Sequence, residues 1–65
     1  MKRNPLLKLK CARYTAKISQ VVMAHSINIS IAAYINKENG KTEFTLAEIE
    51  AIMILLNSPF EDLFI

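Results

Sequence analysis

Residue types that commonly carry catalysis are few and isolated in this sequence. His25 is the only histidine, and no metal-ligating residue follows it at the i+3 or i+4 position of a helix. Cys11 is the only cysteine, and we expect it to be a small buried hydrophobic residue rather than a nucleophile. Glu48 and Glu50 are two residues apart, so they do not face each other on a helix. The single glycine, Gly40, excludes a glycine-rich phosphate loop. The sequence therefore predicts a protein that is not an enzyme and uses no metal or cofactor.

The charged residues are segregated along the chain. Of the eight Lys and Arg residues, all but Lys41 lie in residues 1–37, where there is no acid. All six acidic residues lie in residues 38–65. A chain polarised in this way can present a basic surface to a polyanion and keep its acidic half away from it. The alternative is that these charges form an ordinary solvated surface.

Length and composition indicate one small soluble domain. The 65 residues are 52% hydrophobic, which is enough for a compact core and too apolar for a disordered tail. No apolar run approaches the roughly 20 residues of a membrane span. Lys8, Lys10 and Arg13 interrupt the apolar segment that a signal peptide would need. We therefore expect a cytoplasmic protein of one domain over residues 1–65, with residues 1–3 as a flexible arm.

Start and stop signals predict five helices. Ser, Thr and Asn are favoured just before a helix, and Pro is favoured at its first position. A Glu three residues after Ser or Thr completes a capping box, a pattern that occurs at Thr45 and again at Ser58. The first three helices are predicted to run from Asn4-Pro5 to about Tyr14, from Ser19 to about Ser26 and from Ser30 to about Lys37. The last two are predicted to begin at Thr45 and at Ser58, with Pro59 as the first helical residue.

The segment between the second and third helices suits two helices that cross closely. Asn28 tolerates the left-handed conformation, so it can turn the chain sharply. Ala24 is small enough for the next helix to pack against it. A strand over residues 27–31 is the competing local interpretation, because isoleucines there alternate with polar residues. In the helical interpretation four residues around the turn are buried: Met23, Ile27, Ile29 and Tyr34.

These segments, in this order, resemble a known family. The resemblance rests on Ile18-Ser19-Gln20, Ala24, Asn28-Ile29-Ser30, Tyr34 and Glu38-Asn39-Gly40-Lys41. They resemble the phage repressor, Cro and xenobiotic-response-element family of helix-turn-helix proteins. The tail, over residues 43–49 and 57–64, is similar to small Cro-like proteins of prophages. The resemblance implies an all-α fold, a compact five-helix repressor-like domain with a helix-turn-helix formed by helices two and three. It also implies a sequence-specific transcriptional regulator that occupies an operator in double-stranded DNA.

The resemblance also assigns roles to individual residues. The start and outer face of the third helix would face the bases in the major groove. The start of the second helix and the turn after the third would hold phosphates. Arg13 and Glu38 match a structural ion pair. The base-facing residues are Ser30, Ile31, Ala32 and Asn36. The phosphate contacts are Ser19, Gln20, Asn39, Gly40 and Lys41, with sequence-independent attraction from Lys2, Arg3, Lys10 and Lys17.

Three features leave alternatives open. The outer positions of the third helix include Ile31, Ala32, Ala33 and Ile35, so specificity could come partly from DNA shape. The alternative function is a degenerate helix-turn-helix that binds another protein, as an antirepressor or repressor modulator, through Ile31 and Ile35.

Lys37 stands where the family usually has an apolar residue, and we expect its stem to cover the core with the ammonium in water. The terminal residues 63–65 either cap the core or form the seam of a homodimer. Such a dimer would set two third helices about 34 Å apart.

Overall fold

Short polar side chains mark where most of the helices begin. In the computed structural model, which describes residues 5–65, the Ser19 hydroxyl accepts from the Val22 N–H at 3.1 Å, and the Ser30 hydroxyl accepts from the Ala33 N–H at 3.1 Å. Thr45 forms a capping box with Glu48. These caps confirm the three predicted starts. The helices are α1 (Leu7–Thr15), α2 (Gln20–Ser26), α3 (Ile31–Glu38), α4 (Leu46–Leu56) and α5 (Phe60–Leu63).

The first helix begins later than predicted. Its first residue is Leu7 rather than Pro5, and Leu6 stands before it without a capping side chain. The Leu6 N–H instead donates to the Glu38 carbonyl at 2.9 Å, so a contact with α3 fixes this end of α1. Asn4, the predicted cap, and the predicted arm of residues 1–3 lie outside the described residues.

The capping box predicted at Ser58 is wrong. Pro59 precedes α5 instead of being its first residue, and no side chain caps this helix. The Ser58 N–H donates to the Met53 carbonyl at 3.1 Å, and its hydroxyl donates to the Leu56 carbonyl at 3.0 Å. Ser58 therefore completes the end of α4, and its side chain does not cap α5.

The first four helices end in the same way. At each end one residue has a positive φ, and the N–H groups of that residue and the next bond back to carbonyls of the last turn. This is the Schellman arrangement, which satisfies carbonyls that the helix leaves unpaired. The prediction for Asn28 (φ 64°) is confirmed, and Gly40 (φ 83°) makes the turn predicted after the third helix. The sequence analysis did not foresee this role for Lys17 (φ 60°) and Asn57 (φ 50°).

The core contains residues from all five helices. The buried hydrophobic residues among those described are Leu9, Met23, Ala24, Ile27, Tyr34, Ile52 and Leu63. Burial is thus confirmed for Met23, Ile27 and Tyr34, while Ile29 is partly buried against the same core. Ala24, predicted as a small residue where the next helix packs, is also buried. The strand considered over residues 27–31 does not form, because residues 27–30 are a turn followed by the cap of α3.

The expectation that Cys11 is buried is wrong. Its side chain is exposed, like those of Leu7 and Tyr14 on the same side of α1. The helix buries Leu9 and Arg13, which are four residues apart. Cys11 lies halfway between them in sequence, so the helical period places it on the opposite face.

Aromatic contacts connect α3 with the C-terminal part of the chain. The rings of Tyr34 and Phe44 are 5.8 Å apart, those of Phe44 and Phe64 are 5.9 Å apart, and Phe60 stacks on Phe64 at 5.3 Å. The result is an all-α globule with a radius of gyration of 10.6 Å, close to the about 11 Å expected for this length. Within residues 5–65, no helix has the length and apolar character needed to cross a membrane.

Candidate functional site

The outer side of α3 is open to solvent. Tyr34 and Glu38 are buried on one side of this helix, and Ala32 and Asn36 are exposed on the other, as the period of 3.6 residues requires. Ile31, at the first position, is 45% exposed. Ser30, just before it, is also exposed, and its hydroxyl accepts from the Ala33 N–H. The four residues predicted to face bases therefore all have exposed side chains in the free chain.

The apolar outer face of α3 is smaller than predicted. Ala33 and Ile35 are half-buried, although both were expected on the outside of the helix. They flank the buried residue Tyr34, so neighbouring parts of the chain cover part of each side chain. Ile31 remains the only large hydrophobic residue of α3 that is exposed. This reduces the apolar surface available for the protein-binding alternative.

Glu38, the last residue of α3, is the centre of a buried polar cluster that joins three helices. Its Oε2 atom accepts from Arg13 Nε at 2.9 Å and from the Tyr34 hydroxyl at 2.6 Å. Its Oε1 atom accepts from Gln20 Nε2 at 2.9 Å and from Arg13 Nη2 at 3.3 Å. Arg13 Nη1 also donates to the Ile18 carbonyl at 3.0 Å. The ion pair predicted between Arg13 and Glu38 is present and nearly inaccessible to solvent.

The cluster keeps Glu38 ionised although the side chain has no exposed surface. Burial by itself would raise the pKa of Glu38, but the hydrogen bonds from Arg13, Tyr34 and Gln20 hold that pKa below its usual value. For Arg13, burial would lower the pKa, and the pairing with Glu38 outweighs it and raises the pKa. The pKa of Tyr34 is raised by burial and by its bond to the carboxylate. The cluster is therefore one salt-bridged unit with a neutral tyrosine at neutral pH.

The Gln20–Glu38 bond places the start of α2 beside the end of α3. The bonded residues belong to, or directly precede, the two groups of predicted phosphate contacts. These groups are residues 19–20 at the start of α2 and residues 39–41 after α3. Lys17, two residues after the end of α1, is exposed, and Lys10 is half-buried. Lys2 and Arg3 lie outside the described residues.

The turn after α3 has little backbone to offer a ligand. The N–H groups of Asn39, Gly40 and Lys41 donate to the carbonyls of Ile35, Lys37 and Asn36 respectively. Gly40 is buried, Asn39 is half-buried and Lys41 is exposed. Any phosphate contact from this turn must therefore come from the side chains of Asn39 and Lys41, while Gly40 shapes the turn.

Lys37 differs from the expectation of an ammonium in water. Its Nζ atom donates to Glu48 Oε1 at 2.6 Å and lies 5.9 Å from the centre of the Phe44 ring. Burial would raise the pKa of Glu48, but Lys37 and the Thr45 N–H hold that pKa below its usual value. The lysine thus ties α3 to the capping box of α4, because Glu48 is already fixed there.

Sequence reasoning missed the roles of Gln20 and Tyr34 in the cluster. The one available signal for Tyr34 was its spacing of four residues from Glu38 on the same helix, which lets two side chains meet. No sequence signal pointed to the Gln20–Glu38 bond, because it depends on how α2 and α3 pack.

Comparison with known proteins gives no significant match: no family model, no curated protein sequence and no solved structure.

Proposed function

We propose that this protein is a helix-turn-helix regulator of the Cro and phage-repressor type that binds double-stranded DNA and acts in the cytoplasm by occupying an operator. The observation that carries the proposal is the division of α3 into two sides. Glu38 and Tyr34 fix one side to α1 and α2, and the side with Ala32 and Asn36 is exposed. A rigidly held helix with a free outer side suits insertion into the major groove.

The exposed residues of α3 suit a mixed set of base contacts. Asn36 can pair with the N6 and N7 atoms of adenine, and Ser30 can donate or accept at a base edge. Ile31 and Ala32 can pack against the methyl group of thymine. With so few polar groups, part of the specificity would come from DNA shape.

Residues before and after α3 in the chain would contact DNA phosphates. Ser19 uses its hydroxyl oxygen as an acceptor for the cap, so its O–H remains a donor for a phosphate. Lys41 is exposed directly after α3, and Lys17 is exposed before α2. Lys17 belongs to the basic part of the chain, residues 1–37, and Lys41 follows it closely. Together they would supply the salt-dependent part of the affinity.

Two copies would bind one operator. Of the terminal residues considered for a dimer seam, Leu63 is buried and Phe64 is half-buried, so both belong to the core. Ile65 is 75% exposed, and Ile54 of α4 is 81% exposed. We assign the seam to exposed apolar residues of the C-terminal part of the chain, Ile54 among them.

Variants of single residues test the DNA contacts. Lys41→Ala should weaken binding to all duplexes. It should also reduce the magnitude of the slope of log affinity against log salt by about one, which corresponds to one phosphate contact. Asn36→Ala should cost about 1–3 kcal/mol on the preferred site and relax the preference at one base pair. Fluorescence anisotropy with labelled duplexes at several salt concentrations measures both effects.

Lys8→Ala is the matched control, because Lys8 is also an exposed lysine but donates to the carbonyl of Glu61 in α5. We expect its salt slope to equal that of the wild type. Equal effects of the Lys8 and Lys41 changes, or no binding by the wild type at low salt, would contradict the proposed function.

A further inference from the structure

We propose that Glu38 is a positioning residue for Gln20: the buried carboxylate holds the Gln20 amide in the orientation that presents an N–H group to a DNA phosphate. The proposal rests on the proposed function and deepens it. It assigns to the buried cluster a part in ligand binding besides its part in holding three helices together.

The side-chain amide of Gln20 has a donor nitrogen and an acceptor oxygen. A glutamine side chain can rotate by half a turn and exchange its donor nitrogen with its acceptor oxygen. An ionised carboxylate only accepts hydrogen bonds, so Glu38 Oε1 selects the orientation with Nε2 towards it. The observed distance of 2.9 Å between these two atoms is that of a charge-assisted hydrogen bond.

One N–H group of the Gln20 amide is left over after the bond to Glu38. Nε2 carries two N–H groups, and Glu38 uses one of them. Gln20 is half-buried, so part of its side chain reaches solvent. The second N–H makes no hydrogen bond within residues 5–65 and remains available to a phosphate oxygen. Without the carboxylate, the carbonyl oxygen could equally face a phosphate, and two acceptors would repel each other.

The negative charge of Glu38 is compensated within the cluster. An isolated carboxylate near a phosphate would oppose DNA binding. Here Arg13 contacts both oxygens of Glu38 and neutralises it. Glu38 can therefore orient the amide with little repulsion of DNA.

Tyr34→Phe is a matched control for this arrangement. It removes a donor to Oε2 of the same carboxylate and leaves the Oε1 atom that holds Gln20. A purely structural role of the cluster predicts similar consequences for DNA binding from losing either contact. The positioning role predicts a consequence only through Oε1.

The test is a double-mutant cycle on DNA affinity with Glu38→Gln and Gln20→Met. Glu38→Gln should weaken binding of the wild-type chain about tenfold more than it weakens binding of the Gln20→Met chain. Tyr34→Phe should have the same effect on affinity in both backgrounds. Equal effects of Glu38→Gln in both backgrounds would overturn the proposal while leaving the proposed function intact. Each variant is first shown to be folded by circular dichroism at low temperature.

Glu38→Gln leaves a buried arginine unpaired and could prevent folding, so a second measurement uses the wild-type chain alone. In NMR spectra, one of the two Nε2 protons of Gln20 should be protected from exchange, and the other should shift when duplex DNA is added. Tyr34→Phe should keep this pattern. Rapid exchange of both Nε2 protons with solvent in the free chain, or a bound complex in which neither proton shifts, would overturn the positioning role. Absence of any DNA-induced shift in the whole spectrum would instead overturn the proposed function, and this inference with it.

Discussion

Glu38 carries a negative charge in a position where its side chain has no exposed surface. Such a charge is tolerated only when donors surround it, and here Arg13, Tyr34 and Gln20 supply them. No buried side-chain polar atom among the described residues lacks a partner. Removing one partner of a buried ion pair costs about 3–5 kcal/mol, a large part of the stability of a small domain. The cluster therefore holds α1, α2 and α3 in one arrangement.

The lowered pKa values of Glu38 and Glu48 predict a loss of stability in acid. A carboxyl with a lower pKa in the folded chain stabilises the fold above its unfolded-state pKa of about 4.3. That contribution is lost as the pH falls through the lower folded-state pKa. We expect the free energy of unfolding, measured by urea titration, to decrease steadily below about pH 4.5.

Variants that remove one donor assign this loss to Glu38. Tyr34→Phe and Gln20→Met should bring the folded-state pKa of Glu38 closer to its unfolded value, so the decrease below pH 4.5 should become smaller. Glu50→Gln, at an exposed position of α4, is the control and should keep the wild-type decrease. A wild-type stability that stays constant down to pH 3 would contradict this account of the cluster.

At the scale of helices, local chemistry predicted the starts of α2, α3 and α4 and the ends of the first three helices to within one residue. Ser19, Ser30 and Thr45 cap their helices as the sequence indicated, because this interaction involves only neighbouring residues. Asn28 and Gly40 adopt the left-handed conformation for the same local reason. The start of α1 and the Gln20–Glu38 bond could not be predicted, since both depend on contacts between distant parts of the chain. The helical period places Cys11 opposite Leu9 and Arg13, but the sequence did not indicate which of these two faces of α1 is buried.

Lys17 offers a stability prediction at this scale. It adopts φ 60° at the end of α1, where a residue with a Cβ atom is strained and glycine is not. Lys17→Gly should raise the free energy of unfolding by about 0.5–1 kcal/mol, after the entropic cost of glycine in the unfolded chain is subtracted. Thermal and urea unfolding measure the change.

Lys17→Ala is the control for this substitution, because it removes the same charge and keeps the strain. We expect it to be neutral or slightly destabilising. Asn28→Ala, at the corresponding end of α2, should destabilise the protein by about 1 kcal/mol. Equal effects of the glycine and alanine changes at position 17 would show that strain in the left-handed conformation does not lower the free energy of unfolding.

At the scale of the molecule, the two halves of the chain differ in charge. Positive charge dominates residues 1–37, and the two most exposed isoleucines among the described residues, Ile54 and Ile65, lie in the acidic half. We propose that the helix-turn-helix and the turn after α3 contact DNA and that the C-terminal part of the chain contacts another copy. All-α architecture was predictable from composition and caps, whereas the exposure of Cys11 and the partial burial of Ala33 and Ile35 were not, since they depend on how the helices pack.

The dimer predicts the stoichiometry of the DNA complex. Sedimentation of the protein with an operator duplex should give two chains per duplex. At protein concentrations where the wild type gives two chains per duplex, Ile54→Lys should give one, with weaker and non-cooperative binding, because a charge cannot be buried in an apolar seam without a partner. Tyr14→Lys, at an exposed position of α1, should leave the stoichiometry at two. A wild-type complex with one chain per duplex would contradict the dimer.

Selection of bound sequences from random duplex DNA tests the central claim most directly. If α3 contacts base edges in the major groove, repeated rounds should enrich one short site, with two related half-sites whose centres are about ten base pairs apart. Asn36→Ala should relax the preference at a single position of each half-site. Recovery of random sequence after several rounds at low salt, or of no DNA at all, would contradict the claim that this protein is a sequence-specific DNA-binding regulator.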